Sequence, residues 1–168
     1  RSGLIRTRSR SFGSVGVYVC KDGSRAMVED FKDLRIYQRA LDGSMQIFEL
    51  SKSWPQEETY SLTDQIRRSS RSVCANIAEA WYKRLYEKHF VSKLSDANSE
   101  AAETIVWLDI ASNCGYLQRE KAEQFESGYR EIIGGLISMM EQSEEWCAPS
   151  LEVNEDAVEY EALDLPSD

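Results

Sequence analysis

The chain has 168 residues, of which 42% are hydrophobic and 29% are charged, and this composition is ordinary for a soluble globular protein. That length suffices for one domain with a substantial core plus appended segments. No apolar run approaches the ~20 residues that a membrane-spanning helix requires. The arginines near the N-terminus are not followed by the continuous apolar block of a signal peptide. We therefore expect a cytoplasmic location and no membrane partner.

The net charge of −9 is distributed unevenly along the chain. Residues 1–30 contain more basic than acidic side chains, whereas residues 144–168 contain many acidic side chains and no lysine or arginine. The intervening residues 31–143 are therefore only slightly negative. The acidic total is mainly a property of the C-terminal segment and says little about the folded part.

Residues 1–30 are predicted to form an extended or disordered N-terminal segment. Residues 1–26 mix serine, glycine and arginine without a helical period, and Met27 directly precedes the first helical pattern. Two interpretations follow from this. Either Met27 is the natural start of the protein, or residues 1–26 form a basic arm that binds nucleic acid.

The first predicted helix runs from Phe31 to Lys52, with Asp30 as its N-cap. Apolar side chains recur at three- and four-residue steps, the mark of an amphipathic helix, at Leu34, Tyr37, Leu41, Met45 and Phe48. A second set of apolar or small residues lies roughly opposite and consists of Ile36, Ala40, Gly43, Ile47 and Leu50. Because a helix that is apolar on two faces is usually covered on both, we expect this second set to contact a neighbouring subunit.

Three further helices are predicted by the same periodicity, over residues 62–82, 87–113 and 119–142. The third helix has a weaker second apolar side that includes Val106 and Ile110, and we assign these two residues to the subunit interface as well. Four long helices with short links predict an all-α fold, an antiparallel up-down-up-down four-helix bundle over residues 31–143. The polar and acidic residues 144–168 are predicted to be a disordered tail.

The sequence lacks the residue patterns of common catalytic and metal sites. Its cysteines contain no C-x-x-C pair, which favours reduced, structural thiols. The single histidine, His89, has no glutamate three residues before it, so the Glu-x-x-His motif of di-iron bundles is missing. A G-x-S-x-G nucleophile motif is also missing. We predict no enzyme activity, no metal and no cofactor.

The second predicted helix carries a cluster of basic residues. By helical angle, Arg67, Arg68 and Arg71 fan over roughly a quarter turn on the side away from the inner stripe. Lys83 and Arg84 continue the positive charge into the following turn. Arginine forks match phosphate oxygens, so this cluster is a candidate site for a nucleic-acid partner. The alternative is a solvated or subunit-contact face in which the arginines pair with carboxylates.

Two polar residues of the same helix are predicted to be structural residues of the core. Asn76 falls near the inner stripe, where a buried amide can fix the helix register. Glu79 lies at the edge of that stripe, where it can pair with a basic residue of another helix.

Three segments of the sequence carry a resemblance to a known family. They read F-x-x-L-x-x-Y-x-x-A at 31–40, L-T-D-Q-I-R-R-S-x-x-S-V-x-x-N-I-A-E at 62–79 and E-A-x-E-T-x-x-W-L-x-x-A at 100–111. With these segments the chain resembles the four-helix-bundle proteins of the intervening sequences of bacterial 23S ribosomal RNA. That family includes the accessory variability proteins of diversity-generating retroelements. A departure from its pattern is Ala80, where many relatives place glycine.

The resemblance implies assembly as a ring-like homopentamer around a central axis. For the retroelement members it implies binding of a reverse transcriptase and of nucleic acid by a positively charged bundle. We therefore predict a non-enzymatic, oligomeric binding module whose partners are further copies of itself and RNA, DNA or a nucleic-acid enzyme such as a reverse transcriptase. The alternative is a protein-binding scaffold that makes no nucleic-acid contact.

Overall fold

The computed structural model describes residues 28–147 in full, together with the backbone of residues 17–19 and 25–27. Two short strands, β1 (Val17–Val19) and β2 (Arg25–Met27), pair antiparallel, with Val17 opposite Met27. The hypotheses of a basic arm over residues 1–26 and of a disordered tail beyond residue 147 fall largely outside the described residues.

The rest of the described chain is helical, which confirms the all-α prediction for residues 28–147. Its helices are α1 (Arg35–Leu50), α2 (Asp64–Tyr82), α3 (Glu87–Asn113), α4 (Arg119–Glu141) and a short α5 (Ser143–Trp146). The other described helical elements are short: 3₁₀ turns at Phe31–Asp33, Ser51–Ser53 and Gln56–Glu58 and a π-helical turn at Thr59–Thr63. None of the described helices is long and apolar enough to cross a membrane.

The first helix begins four residues later than the periodicity predicts. Asp30 does act as a cap, because its Oδ1 accepts from the backbone N–H of Lys32 at 2.8 Å, but the turn that it caps is the 3₁₀ turn. Asp33 Oδ2 accepts from the N–H of Asp30 in return, at 3.2 Å. The backbone of Leu34 is then extended and separates this turn from α1, which lets the Leu34 side chain enter the core.

Each of the four long helices packs against two of the others, in the order α1, α2, α3, α4 and back to α1. The contacts between α2 and α3 show that these neighbours run in opposite directions. Ser69, near the start of α2, contacts Thr104 in the second half of α3, whereas Glu79 contacts Lys93 in its first half. The core enclosed by the helices includes the fully buried side chains of Ile66, Ile77, Phe90, Leu94, Leu108, Tyr129 and Leu136.

The assignment of Ala40 and Ile47 to a subunit interface is wrong. Both residues are 0% exposed in the single chain and lie on the inner face of α1 with the buried Ser44. The bulkier Leu41 and Met45 are 43% and 51% exposed instead. The physical reason is the size of the side chains on each face of α1. Small side chains allow α1 to lie close to its neighbours, so the face that carries them is turned inward.

Three further members of the predicted interface set face α4 of the same chain. Ile36 and Leu50 are half-buried and pack against the core, and a methyl group added to Gly135 of α4 would overlap the Cγ2 of Ile36. Gly43 lies beside Tyr129, since a Cβ added to Gly43 would lie 3.4 Å from the Tyr129 hydroxyl oxygen. These residues hold α1 against α4, which leaves only the α3 members of the set, Val106 and Ile110, on an open surface.

The predicted start of the C-terminal tail is also wrong. Residues 143–146 form α5, and the Trp146 side chain is buried with its ring centroid 6.5 Å from that of Phe90. The Ser143 hydroxyl donates to Glu87 Oε1 at 2.5 Å and ties α5 to the start of α3. A single tryptophan among acidic residues is the sequence signal that could have moved this boundary.

Candidate functional site

The five predicted basic residues do not form one continuous patch. Arg67 and Arg71 lie on the side of α2 that faces α1, whereas the charge of Arg68 acts on Glu100 of α3. Lys83 and Arg84 lie at the other end of the helix, about 24 Å along its axis from Arg67 at ~1.5 Å per residue. The structure therefore brings together two of the five residues and separates the other three.

Arg67 and Arg71 converge on one aromatic ring of the preceding helix. The guanidinium carbon of Arg67 lies 5.0 Å from the centroid of the Phe48 ring, and that of Arg71 lies 5.5 Å from it. Arg67 Nε also donates to the Ser51 hydroxyl oxygen at 2.7 Å, which fixes the direction of its side chain. We call Phe48, Arg67 and Arg71 the Phe48 face.

Local helix geometry explains why these side chains meet. Arg67 and Arg71 are four residues apart, so they lie one above the other on the same side of α2. Phe48 and Ser51 occupy the last turn of α1 and the 3₁₀ turn that follows it, which brings both next to the start of α2. Cations over an aromatic ring are stabilised by its quadrupole, so the two guanidinium groups are held in place.

The arginines of the Phe48 face keep their charge uncompensated at short range. Within the described part of the chain, none of Arg67, Arg68 and Arg71 forms an ion pair with a carboxylate. Arg68 acts on Glu100 from a greater distance: burial and the nearby Glu103 raise the pKa of Glu100, while Arg68 lowers it, and the net shift is upward. The predicted pairing with acidic residues thus finds support only at Arg68, and only as a longer-range effect.

Arg84 has a structural environment at the end of α2. Its guanidinium carbon lies 3.4 Å from the ring centroid of the buried Trp81, and its Nε donates to the Trp81 carbonyl oxygen at 2.8 Å. A cation near the last carbonyls of a helix is favourable because of the helix dipole. Arg84 therefore closes the end of α2, and Lys83 beside it is half-buried.

Asn76 and Glu79 lie at the contact between α2 and α3, outside the fully buried core. Glu79 Oε2 pairs with Lys93 Nζ of α3 at 2.9 Å, as the prediction of a basic partner on another helix requires. The same Nζ donates to Asn76 Oδ1 at 3.4 Å and pairs with Asp96 at 3.2 Å. The hydrogen bonds to Glu79 and Asp96, that to Glu79 above all, raise the pKa of Lys93.

Sequence reasoning misses two further features of the structure. Leu41 and Met45 of α1 are exposed, and Met45 borders a groove shared with Lys121 and Phe125 of α4. A buried hydroxyl pair also joins α2 to α3, with Thr104 Oγ1 2.9 Å from Ser69 Oγ. The exposure of Leu41 and Met45 depends on which face of α1 is inward, and the periodicity of a single helix does not contain that information.

The described side chains show no arrangement suited to metal binding. Within residues 28–147, no three His, Cys, Asp or Glu side chains are grouped so that they could hold a metal ion. Cys74 and Cys147 are free thiols whose pKa burial raises, which favours the protonated thiol at neutral pH.

Comparison with known proteins decides the family. The model of the 23S rRNA-intervening sequence proteins matches residues 32–138, which is more than half of the chain. The chain belongs to this family. The predicted membership is therefore confirmed, and the match covers α1 to α4 almost completely.

A solved relative supports the family assignment. It is a protein of unknown function from the S23 ribosomal protein family of Bacteroides thetaiotaomicron, known from a crystal structure. It is 32% identical to this chain with a TM-score of 0.57, and the match covers 63% of this chain and 95% of the relative. None of the curated proteins matches this chain.

Proposed function

We propose that this protein is a non-enzymatic four-helix-bundle module that assembles as a ring-like homopentamer and binds RNA through its Phe48 face. The cyclic packing order of α1 to α4, with α2 and α3 antiparallel, supports the bundle. The names of the matched family and of the solved relative refer to 23S rRNA and to the S23 ribosomal protein family, and this favours RNA as the partner.

One observation carries the RNA-binding proposal: two guanidinium groups without a carboxylate partner lie within 5.5 Å of one ring centroid. Guanidinium forks bind phosphate oxygens in a bidentate manner. Arginine planes and aromatic rings also provide surfaces on which unpaired bases stack. The combination suits a short stretch of single-stranded RNA, with Arg67 held in position by its bond to Ser51.

Replacing both arginines by glutamine tests the proposal. We expect the affinity for a single-stranded RNA oligonucleotide to fall about tenfold for each arginine, as for the removal of a hydrogen bond to a charged group. The slope of log affinity against log salt should become shallower by about 0.7 for each RNA phosphate that the variant no longer neutralises.

The matched control removes the same charge elsewhere. Arg119 and Arg130 on α4 also lie on one helix, and each forms an ion pair with a glutamate four residues away. The variant Arg119→Gln/Arg130→Gln should keep the wild-type affinity. An equal fall in affinity for the two variants would show a response to net charge alone and would contradict a site at the Phe48 face.

A protein-binding scaffold is the second candidate function. Leu41 and Met45 of α1 are large exposed apolar residues, and contacts between proteins use such side chains together with arginine. The partner would be a further copy of the chain or a nucleic-acid enzyme such as a reverse transcriptase. If Arg67→Gln/Arg71→Gln lowers the oligomer mass and leaves RNA affinity unchanged, this second function replaces the first.

A further inference from the structure

A small cavity opens between α1 and α4, on the side of α1 away from the Phe48 face. Its volume is about 220 Å³. Its lining includes Arg39, Gly43, Lys121, Phe125, Gly128 and Tyr129. We infer that this α1–α4 cavity binds a small carboxylate with an aromatic or branched aliphatic body.

Two glycines, Gly43 of α1 and Gly128 of α4, line the cavity. A Cβ added to Gly128 would meet no atom within 4 Å, so the space in front of it is empty. On the other wall, a Cβ added to Gly43 would be in ordinary contact with the Tyr129 ring, 3.5 Å from Cε2. At the far end of the same helix pair, Ile36 lies close against Gly135. Ile36 and Gly135 thus close one end of the contact between α1 and α4, and toward the other end the open space continues along Met45, Glu49 and Leu50.

Buried ring and aliphatic side chains form the floor of the cavity, and the Tyr129 hydroxyl oxygen lies beside Gly43 at its wall. Phe125, Tyr129 and Ile132 are buried in the core and present carbon surface to the cavity. Its volume lies below the ~300–1,000 Å³ of sites for drug-sized ligands, so the occupant is a single ring or a short branched chain. Such a body gains free energy by leaving water for this floor.

A cation at the rim, Lys121, favours an anion. Arg39 is paired with Glu131, so its charge is compensated, and Asp42 Oδ2 accepts a hydrogen bond from the neutral amide of Gln46 at 2.6 Å. Lys121 forms no ion pair with any described carboxylate, and its Nζ lies 5.1 Å from the ring centroid of Phe125. An ammonium group beside an aromatic floor complements a carboxylate attached to an apolar body.

The test uses benzoate and its neutral isostere benzamide as probes of the full-length protein, with binding followed by ligand-detected NMR. We expect benzoate to bind about tenfold more tightly than benzamide, and Lys121→Gln to remove that preference. Equal binding of both probes to the wild-type protein, or no binding of either, would overturn the inference.

A pair of glycine variants locates the site independently of charge. Gly128→Leu places a side chain in the cavity, whereas Gly134→Leu is a matched control, because a Cβ there also meets no atom within 4 Å. Both changes replace a glycine within α4 and should leave the fold intact. Benzoate binding should be abolished in Gly128→Leu and kept in Gly134→Leu. If benzoate binds both variants equally, the inference is wrong. It is also wrong if the wild-type protein binds no benzoate and Gly128→Leu changes the oligomer mass.

Discussion

Glu100 on α3 is a carboxylate whose ionisation the fold opposes. Burial is the main cause that raises its pKa, the Glu103 carboxylate raises it further, and Arg68 lowers it without cancelling the other two effects. A raised pKa means that the native state holds its proton more tightly than the unfolded chain does. The ionised side chain at neutral pH therefore reduces the free energy of unfolding.

Replacing Glu100 by glutamine should raise the free energy of unfolding at neutral pH, because the amide removes a charge that is partly withdrawn from water. Between the unfolded pKa, near 4.5, and the raised folded pKa, the native state binds more protons, so wild-type stability falls as the pH rises through this window. The advantage of Glu100→Gln should vanish below it. Urea unfolding of both proteins at neutral pH and well below the window measures the difference.

Arg68 provides the control for this pH dependence. Without its charge, the pKa of Glu100 should rise further, so Arg68→Gln should lose stability at neutral pH relative to acid pH. The same change in the Glu100→Gln background should lose much less. A variant Glu100→Gln that is less stable than wild type at neutral pH would contradict the explanation.

At the residue scale, the sequence predicts the identity of the side chains in the candidate site better than it predicts their positions relative to one another. The arginine cluster stands out in the pattern of α2, but Phe48 and Ser51, which position Arg67 and Arg71, belong to the preceding helix and turn. Spacing along one helix cannot show which side chains of its neighbour will meet it. For the same reason, the stacking of Arg84 on Trp81 is invisible in the sequence.

At the element scale, α2, α3 and α4 begin and end within two residues of their predicted limits, while the inner face of α1 is inverted. The periodicity shows two apolar stripes on α1, and the bulkier stripe looks like the core. Packing reverses this choice, because Ala40 and Ser44 permit a closer approach to the neighbouring helices than Leu41 and Met45 would. Distances between helices, which decide the matter, do not follow from the pattern of one helix.

The adjacent glycines of α4 show the same limit of sequence patterns. Gly134-Gly135 in an apolar stretch predicts close helix contact, and the structure assigns that contact to Gly135 alone. A Cβ on Gly135 would overlap the Cγ2 of Ile36, a stiff β-branched side chain, whereas a Cβ on Gly134 would meet no atom within 4 Å. One of the two residues is thus required by α1, and the other only lowers helix propensity.

Alanine substitutions at these two positions should have opposite effects. Gly134→Ala should raise the free energy of unfolding by about 1 kcal/mol, through helix propensity. Gly135→Ala should lower it by roughly 1–3 kcal/mol, because α1 must move away from α4. Thermal and urea unfolding measure both changes. Adding Ile36→Ala should relieve the overlap, so the double variant Gly135→Ala/Ile36→Ala should lose less free energy of unfolding than the sum of the losses in the two single variants. Additive losses would contradict the assigned contact.

At the scale of the whole molecule, two exposed apolar surfaces lie on different helices. One is formed by Leu41 and Met45 of α1, and the other by Val106 and Ile110 of α3, which are 53% and 38% exposed. A contact that joins two different surfaces is heterologous, and repeated heterologous contacts close into a ring when the rotation between subunits permits. This arrangement suits the proposed ring and sets it apart from a symmetric dimer, in which one surface meets its own copy.

Placing a charge on either surface should stop the assembly. In Val106→Glu/Ile110→Glu, carboxylates would be buried without partners in the subunit contact, so light scattering should report a monomer with unchanged helical circular dichroism. Met45→Glu should do the same from the α1 side. Ile137→Glu, at an α4 residue that is similarly exposed but outside both surfaces, is the control and should keep the wild-type mass.

Mixing the two kinds of variant separates a ring from other assemblies. Each Met45→Glu protomer keeps an intact α3 surface, and each Val106→Glu/Ile110→Glu protomer keeps an intact α1 surface. One productive contact can therefore form between unlike protomers, and no second one can follow, so the mixture should yield heterodimers and nothing larger. If each variant alone still forms a dimer, the contact is isologous, and the proposed heterologous ring is wrong.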